Sequence, residues 1–151
     1  MTENRPFIPY QTSNDLKRES QIIQFLSKKW NFDYRKMGDF SVFDFEVMRD
    51  NKIVAYIEVK TKTKSYKTFP TYICTKQDID WGYQKYLETG IPAFVVVKWP
   101  DMFAYVKITH TDYVVKKSGQ TNRNDPRDYN ELCYFIPYSE FKGIGGFEFN
   151  D

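Results

Sequence analysis

Histidine and cysteine are almost missing from this sequence: His110 is the only histidine, and Cys74 and Cys133 are the only cysteines. One imidazole cannot build a histidine-rich metal centre, and two distant thiols do not make zinc-ligand spacing. A four-cysteine iron–sulfur site is excluded on the same ground. No apolar run approaches the ~20 residues that a membrane span needs. The first ten residues, Met1 to Tyr10, are polar with scattered proline and carry no apolar signal core. The expectation is a cytoplasmic protein with no membrane partner and both thiols free. A dominant charge is lacking too: 22 Lys and Arg stand against 20 Asp and Glu, a net charge of +2. That balance announces no nucleic-acid partner, so the information lies in where the charges fall. Gly143, Gly145 and Gly146 do not lead a strand into a helix, which argues against a phosphate-cradling loop.

What remains is globular. The 151 residues, 41% hydrophobic and 28% charged, suit one domain spanning 1–151, with no repeat and no dividing linker. Aromatics at 19% fit a sheet-rich core better than a base-stacking surface, since Tyr and Phe favour pleated, half-buried positions.

After an extended arm, the pattern predicts a helix from about Asp15 to Trp30, with Ser13 or Asn14 as N-cap. Leu16, Ile23, Leu26 and Trp30 form its apolar stripe, with Ile22 and Phe25 beside it. Three β segments follow: Phe32 to Arg35, Ser41 to Met48 and Lys52 to Thr63. The last two form an antiparallel hairpin turned by Arg49-Asp50-Asn51. A second helix spans Lys76 to Thr89, opened by a capping box of Thr75 and Asp78 and stopped by Gly90 and Pro92. Ile79, Tyr83, Tyr86 and Leu87 are its candidate core residues. Ile91 to Lys98 holds the unbroken run Phe94-Val95-Val96-Val97, which suits a central strand covered on both faces. A strand from Phe103 to Thr109, a short helix over Asp112 to Lys117, a polar loop from Gly119 to Asn130 and a strand near Cys133 to Ile136 complete the reading. This order gives an α/β or α+β sandwich with a mixed sheet.

The chemistry concentrates between Asp44 and Lys64. Residues two apart on a strand share a face, so Ile53, Ala55, Ile57 and Val59 face one way, and Val54, Tyr56, Glu58 and Lys60 the other. The hairpin brings Asp44 near Glu58 and Lys60, so two carboxylates and an ammonium converge. Phosphodiester hydrolysis needs charge stabilisation at the phosphoryl oxygens and a water made nucleophilic near neutral pH. A hard cation supplies both, and it prefers carboxylate and carbonyl oxygens. Asp44, Glu58 and the Val59 carbonyl are the candidate ligands for Mg²⁺ or Mn²⁺. Lys60 is the candidate for holding the attacking water or stabilising phosphate charge. Glu46 shares a face with Asp44 but reads as a rim charge, and Asp39 would require the strand to begin earlier.

Asp44 followed fourteen residues later by Glu58-Val59-Lys60 resembles the PD-(D/E)xK nuclease superfamily. Phe43 stands where the motif often has Pro. The resemblance implies an αβββαβ core over about residues 13–109, with 110–151 as a C-terminal extension. It also implies metal binding by Asp44 and Glu58, with service to the catalytic water by Lys60. The superfamily often adds an acidic residue from its first helix, and Glu19, on the apolar stripe of the first helix, fits. Gln84 and Lys85 are of the kind that support such sites. Glu88 stands where the RecB-like Gln-x-x-x-Tyr motif needs Tyr, which disfavours that branch. The size and basic strand resemble Holliday-junction resolvases and small phage-type nucleases, implying DNA as partner, with RNA left open, and a homodimer.

Beyond the triad, Lys60, Lys62 and Lys64 alternate along the strand, with Lys67 and Lys76 beyond. Such a row could neutralise successive phosphates or simply protect a sheet edge. Lys62, Lys64 and Lys67 are taken as nucleic-acid contacts, and Arg123 and Arg127 as further basic residues of the polar loop. The alternative functions are a non-catalytic nucleic-acid-binding module that kept the fold, and an unrelated α/β protein whose charged strand is its solvent face. The intact Asp44, Glu58 and Lys60 set argues against the first, and metal binding between Asp44 and Glu58 would discriminate the second.

Overall fold

The computed structural model describes residues 13–38, 41–118 and 131–149. Helix α1 (Ser13–Trp30) precedes β1 (Asp33–Lys36), β2 (Phe45–Arg49) and β3 (Lys52–Thr61). Then come β4 (Tyr72–Thr75), α2 (Lys76–Thr89), β5 (Ala93–Trp99) and β6 (Met102–Lys107). The chain ends with β7 (Val114–Lys117), β8 (Leu132–Ile136), a 3-10 turn at Tyr138–Glu140 and β9 (Lys142–Gly143). Among the described residues no helix is long and apolar enough to cross a membrane.

Six strands form a mixed sheet in the order β1-β2-β3-β5-β6-β9. The expected hairpin is present: β2 and β3 pair antiparallel, Phe45 opposite Ile57. Asp50 and Asn51 turn it with φ of 51° and 62°, the left-handed values that a tight two-residue hairpin requires. β5 pairs parallel to β3 from Tyr56↔Ala93 to Thr61↔Lys98, with α2 in the crossover. The valine run of β5 is fully buried, as its lack of polar interruptions implied.

Two hydrophobic layers cover this sheet. On one face Ile22, Ile23 and Leu26 of α1 pack on Ala55, Ile57, Val59 and Val96. On the other, Tyr56, Val95 and Val97 meet Ile79 of α2 and Tyr72, Tyr134 and Ile136. The last three belong to a small second sheet, β4-β8-β7. The alternation expected along β3 is therefore real, but neither face is open over its central residues. Gly82 marks how closely α2 approaches, since a Cβ there would lie 2.6 Å from Ile108 Cδ1.

Several expectations are corrected. Residues 112–117 do not form a helix: Val114–Lys117 is β7, hydrogen-bonded to β8. Its Val-Val pair favours extended backbone, and β8 supplies the ladder. Strand β4 was missed because four residues carry too little pattern. The α1 stripe is narrower than expected, since Leu16 and Trp30 are 45% and 36% exposed. On α2, Tyr86 and Leu87 are likewise exposed while Ile79 is buried. The Thr75 side chain makes no capping hydrogen bond, so the expected capping box does not form. Gly90 does end α2, in a left-handed conformation with its N–H donated to the Tyr86 carbonyl. The loop bearing Arg123 and Arg127, and Asp39, lie outside the described residues.

Candidate active site

The site lies where β2 begins and β3 leaves the sheet interior. Asp44 sits one residue before β2, past the last rung of the β2–β3 ladder, so Val59 has no partner on its β2 side. The Asp44 side chain fills that role: its Oδ2 accepts a hydrogen bond from the Val59 N–H at 2.8 Å. A strand residue points its N–H and C=O to the same edge, so the Val59 carbonyl also faces the Asp44 side. Met37 N–H donates to the Asp44 carbonyl at 2.8 Å, which ties the start of β2 to the end of β1.

Glu58 is buried, and its Oε1 has no hydrogen-bond partner. Its Oε2 lies 3.0 Å from the Lys60 ammonium. Two residues apart on one strand, the two side chains meet as alternation requires. Burial pushes the Glu58 carboxyl well above its ordinary range; Lys60 opposes this, and Asp44 and Asp78 reinforce it. Lys60 also lies 3.3 Å from Asp78 Oδ2. Burial works to lower the Lys60 ammonium, but Glu58 and Asp78 overcome it and hold the group well above its usual value. Glu58 and Asp78 thus favour the charged ammonium, which argues against Lys60 as a general base.

Asp78 was read only as a cap. It is buried in the first turn of α2 and faces the site. The signal that could have found it is its spacing: Asp78, Ile79 and Gly82 form the buried stripe of the helix, and a carboxylate on such a stripe needs a partner. Lys36 was missed as well. It closes β1, and its ammonium lies 2.5 Å from Glu19 Oε1 and 3.7 Å from Asp44 Oδ1. Glu19 is 4% exposed, so α1 does deliver a carboxylate inward, where it meets this lysine.

The remaining sequence candidates are less central. Glu46 pairs with Arg35, whose Nε and Nη2 approach its Oε1 at 2.7 and 2.6 Å, the rim charge expected of it. Gln84 is exposed and bonds to Glu88 at 3.2 Å, and Lys85 lies over the Trp81 ring, so neither supports the site. Strand β3 ends at Thr61, so alternation does not carry the lysine row to Lys64 as expected. Lys62 still donates its backbone N–H to the Lys98 carbonyl, and its ammonium sits 5.3 Å from the Tyr72 ring. Lys64 and Lys67 lie in the exposed turn that follows, Lys67 with φ 65°. Lys76 pairs with Asp80.

Among the described residues no three His, Cys, Asp or Glu side chains form a ready metal cluster. The donor set nonetheless suits a hard cation. Glu58 Oε1 is a buried oxygen awaiting a partner, and Glu19, Asp44, Glu58 and Asp78 gather around Lys36 and Lys60. Carboxylate oxygens are the ligands that a hard divalent ion prefers.

An Asp at the mouth of a β-hairpin with Glu-x-Lys on its second strand is the arrangement of PD-(D/E)xK nucleases. The family described as "Phage putative PDDEXK endonuclease" matches residues 4–144, and the chain belongs to that family. Among solved structures, the Holliday junction resolvase Hjc of Archaeoglobus fulgidus is similar over 58% of this chain and 69% of its own. The identity is 17% and the TM-score 0.41. No curated protein matches.

Proposed function

We propose that this nuclease hydrolyses phosphodiester bonds of DNA with Mg²⁺ or Mn²⁺ held at Asp44 and Glu58, acting as an endonuclease, with branched DNA among its substrates. The observation that carries the reading is the unsatisfied Glu58 Oε1, buried beside Asp44 and Lys60. A buried carboxylate oxygen without a donor is costly, and cation binding gives it a purpose.

Asp44 would present Oδ1, with Oδ2 anchored on the Val59 N–H; Glu58 would present Oε1, and the Val59 carbonyl and Glu19 would complete the oxygen set. A divalent ion bound there supplies charge neutralisation at the phosphate and lowers the pKa of water. Lys60, held as an ammonium by Glu58 and Asp78, donates hydrogen bonds to the attacking water or to a phosphoryl oxygen where negative charge grows. Lys62, Lys64 and Lys67, which follow the triad along the chain, would meet flanking phosphates as point charges.

The test is incubation with linear, circular, single-stranded and four-way-junction DNA, and with RNA, in Mg²⁺, Mn²⁺ or EDTA. Cleavage of DNA with either metal, lost in EDTA and in Asp44→Asn, is expected. Cleavage that persists in EDTA would refute the metal reading. Binding without cleavage under every condition would leave a non-catalytic nucleic-acid-binding module.

A further inference from the structure

Lys36 stands where the carboxylates need a cation. Its Nζ contacts Glu19 Oε1 at 2.5 Å and approaches Asp44 Oδ1 at 3.7 Å. The Asp44 oxygen it faces is the one that the Val59 N–H leaves unclaimed. Its position is built by the sheet. Lys36 pairs with Phe45 across the β1–β2 ladder, and its ammonium lies 5.0 Å from the Phe45 ring centroid. The residue next to Phe45 is Asp44, so the register places this lysine beside the metal-binding end of β2. Glu19 arrives from α1 on the buried side.

We propose, resting on the metal-dependent reading above, that Lys36 is a tethered counter-ion which occupies the carboxylate pocket of the metal-free enzyme and is displaced when the divalent ion enters. The same Glu19 and Asp44 oxygens cannot be shared closely by an ammonium and a divalent cation, because the two cations repel. Lys36 has somewhere to go: its side chain is 43% exposed, and its flexible stem can carry the charge outward into solvent. A phosphate arriving at the pocket mouth is a partner for the displaced ammonium. Metal entry and nucleic-acid binding then favour each other, as linkage requires. Without nucleic acid, Lys36 holds metal affinity down.

The experiment is calorimetric titration of Mn²⁺, and separately Ca²⁺, into the full chain without nucleic acid, for wild type, Lys36→Gln, Lys36→Met and Lys36→Arg. Gln and Met, which remove the competing charge, should bind metal about tenfold more tightly than wild type. Arg, which keeps the charge, should stay near wild type or bind more weakly. If wild type binds metal and neither Gln nor Met binds more tightly, Lys36 is only a structural partner of Glu19 and the inference falls, while the metal-dependent reading stands. If no variant binds metal, both fall. Gln and Met remove the Lys36 ammonium from Glu19, so circular dichroism melting in EDTA is run beside the titration to register any unfolding. Refolding of such a variant by Mn²⁺ at concentrations below the wild-type Kd counts for the inference. Unfolding that persists in saturating Mn²⁺ counts against it.

Discussion

Replacing Glu58 by Gln should make the metal-free protein more stable while destroying its activity. Glu58 is a buried carboxylate with one oxygen unmet, and burial, with Asp44 and Asp78 against it, raises its pKa despite Lys60. Folding therefore makes the charged form of this side chain less favourable than it is in water. An unsatisfied buried polar group costs about 1–3 kcal/mol, and more when charged. A neutral isostere keeps the volume and an oxygen for Lys60, so a gain of roughly 1–2 kcal/mol is expected, tempered by a weaker pair with Lys60. For a chain of this size each kcal/mol moves Tm by about 2–4 °C. In EDTA near pH 7, melting followed by circular dichroism should show Glu58→Gln higher by about 2–8 °C. The sign has a pH signature. Because the folded pKa is raised above the ordinary 4.5, the wild-type penalty is absent below that value and grows as pH rises toward the folded pKa. The two melting curves should therefore converge below about pH 4.5. With saturating Mn²⁺ the order should reverse, since wild type gains binding energy that the variant cannot. A variant less stable than wild type in EDTA at pH 7 would refute the reasoning and make Glu58 a satisfied structural partner of Lys60.

Four further outcomes follow from the same geometry. Lys60→Ala should lose turnover at least a hundredfold yet keep most of its affinity for Mn²⁺, because an ammonium is not a ligand; single-turnover cleavage beside calorimetry separates the two. Asp78→Asn removes one of the two anions beside the Lys60 ammonium. It should cost about 1–3 kcal/mol in urea unfolding and reduce kcat more than DNA affinity. Lys62→Ala with Lys64→Ala should weaken duplex binding in Ca²⁺ for all sequences alike, flattening the plot of log K against log salt by about 0.9 per lost phosphate contact; an unchanged slope would leave edge protection as their role. Gly82→Ala brings a Cβ to 2.6 Å from Ile108 Cδ1 and 2.9 Å from Ala93 Cβ, so unfolding should show a loss of about 1–3 kcal/mol despite the better helix former.

Local signals in the sequence determined the frame of this protein. Strict alternation from Lys52 onward defined β3 and placed Glu58 and Lys60 on one face, because side-chain direction along a strand depends only on parity. The Asp50-Asn51 turn fixed the hairpin, and the unbroken Val95-Val96-Val97 run fixed a central strand, since each pattern has one cheap structural solution. Those features, with the Asp44 spacing, were enough for the nuclease superfamily, for the αβββαβ order and for an inward Glu19. Tertiary structure decided what local patterns do not encode. Val114–Lys117 became a strand only because β8 offered it hydrogen bonds, and of α1 it is Ile22, Ile23 and Leu26 that are fully buried over the sheet, while Leu16 and Trp30 keep exposed surface. The counter-ions are the clearest case. Lys36 reaches Glu19 across 17 residues, and Asp78 reaches Lys60 across a strand, a turn and a helix start. Nothing in the sequence around Lys36 tells a solvated charge from a buried one, and the spacing of Asp78 on its helix does not say which cation it meets. The distinction is made when β1, α1 and α2 close over the end of the hairpin, and desolvation then forces each charge to find its opposite.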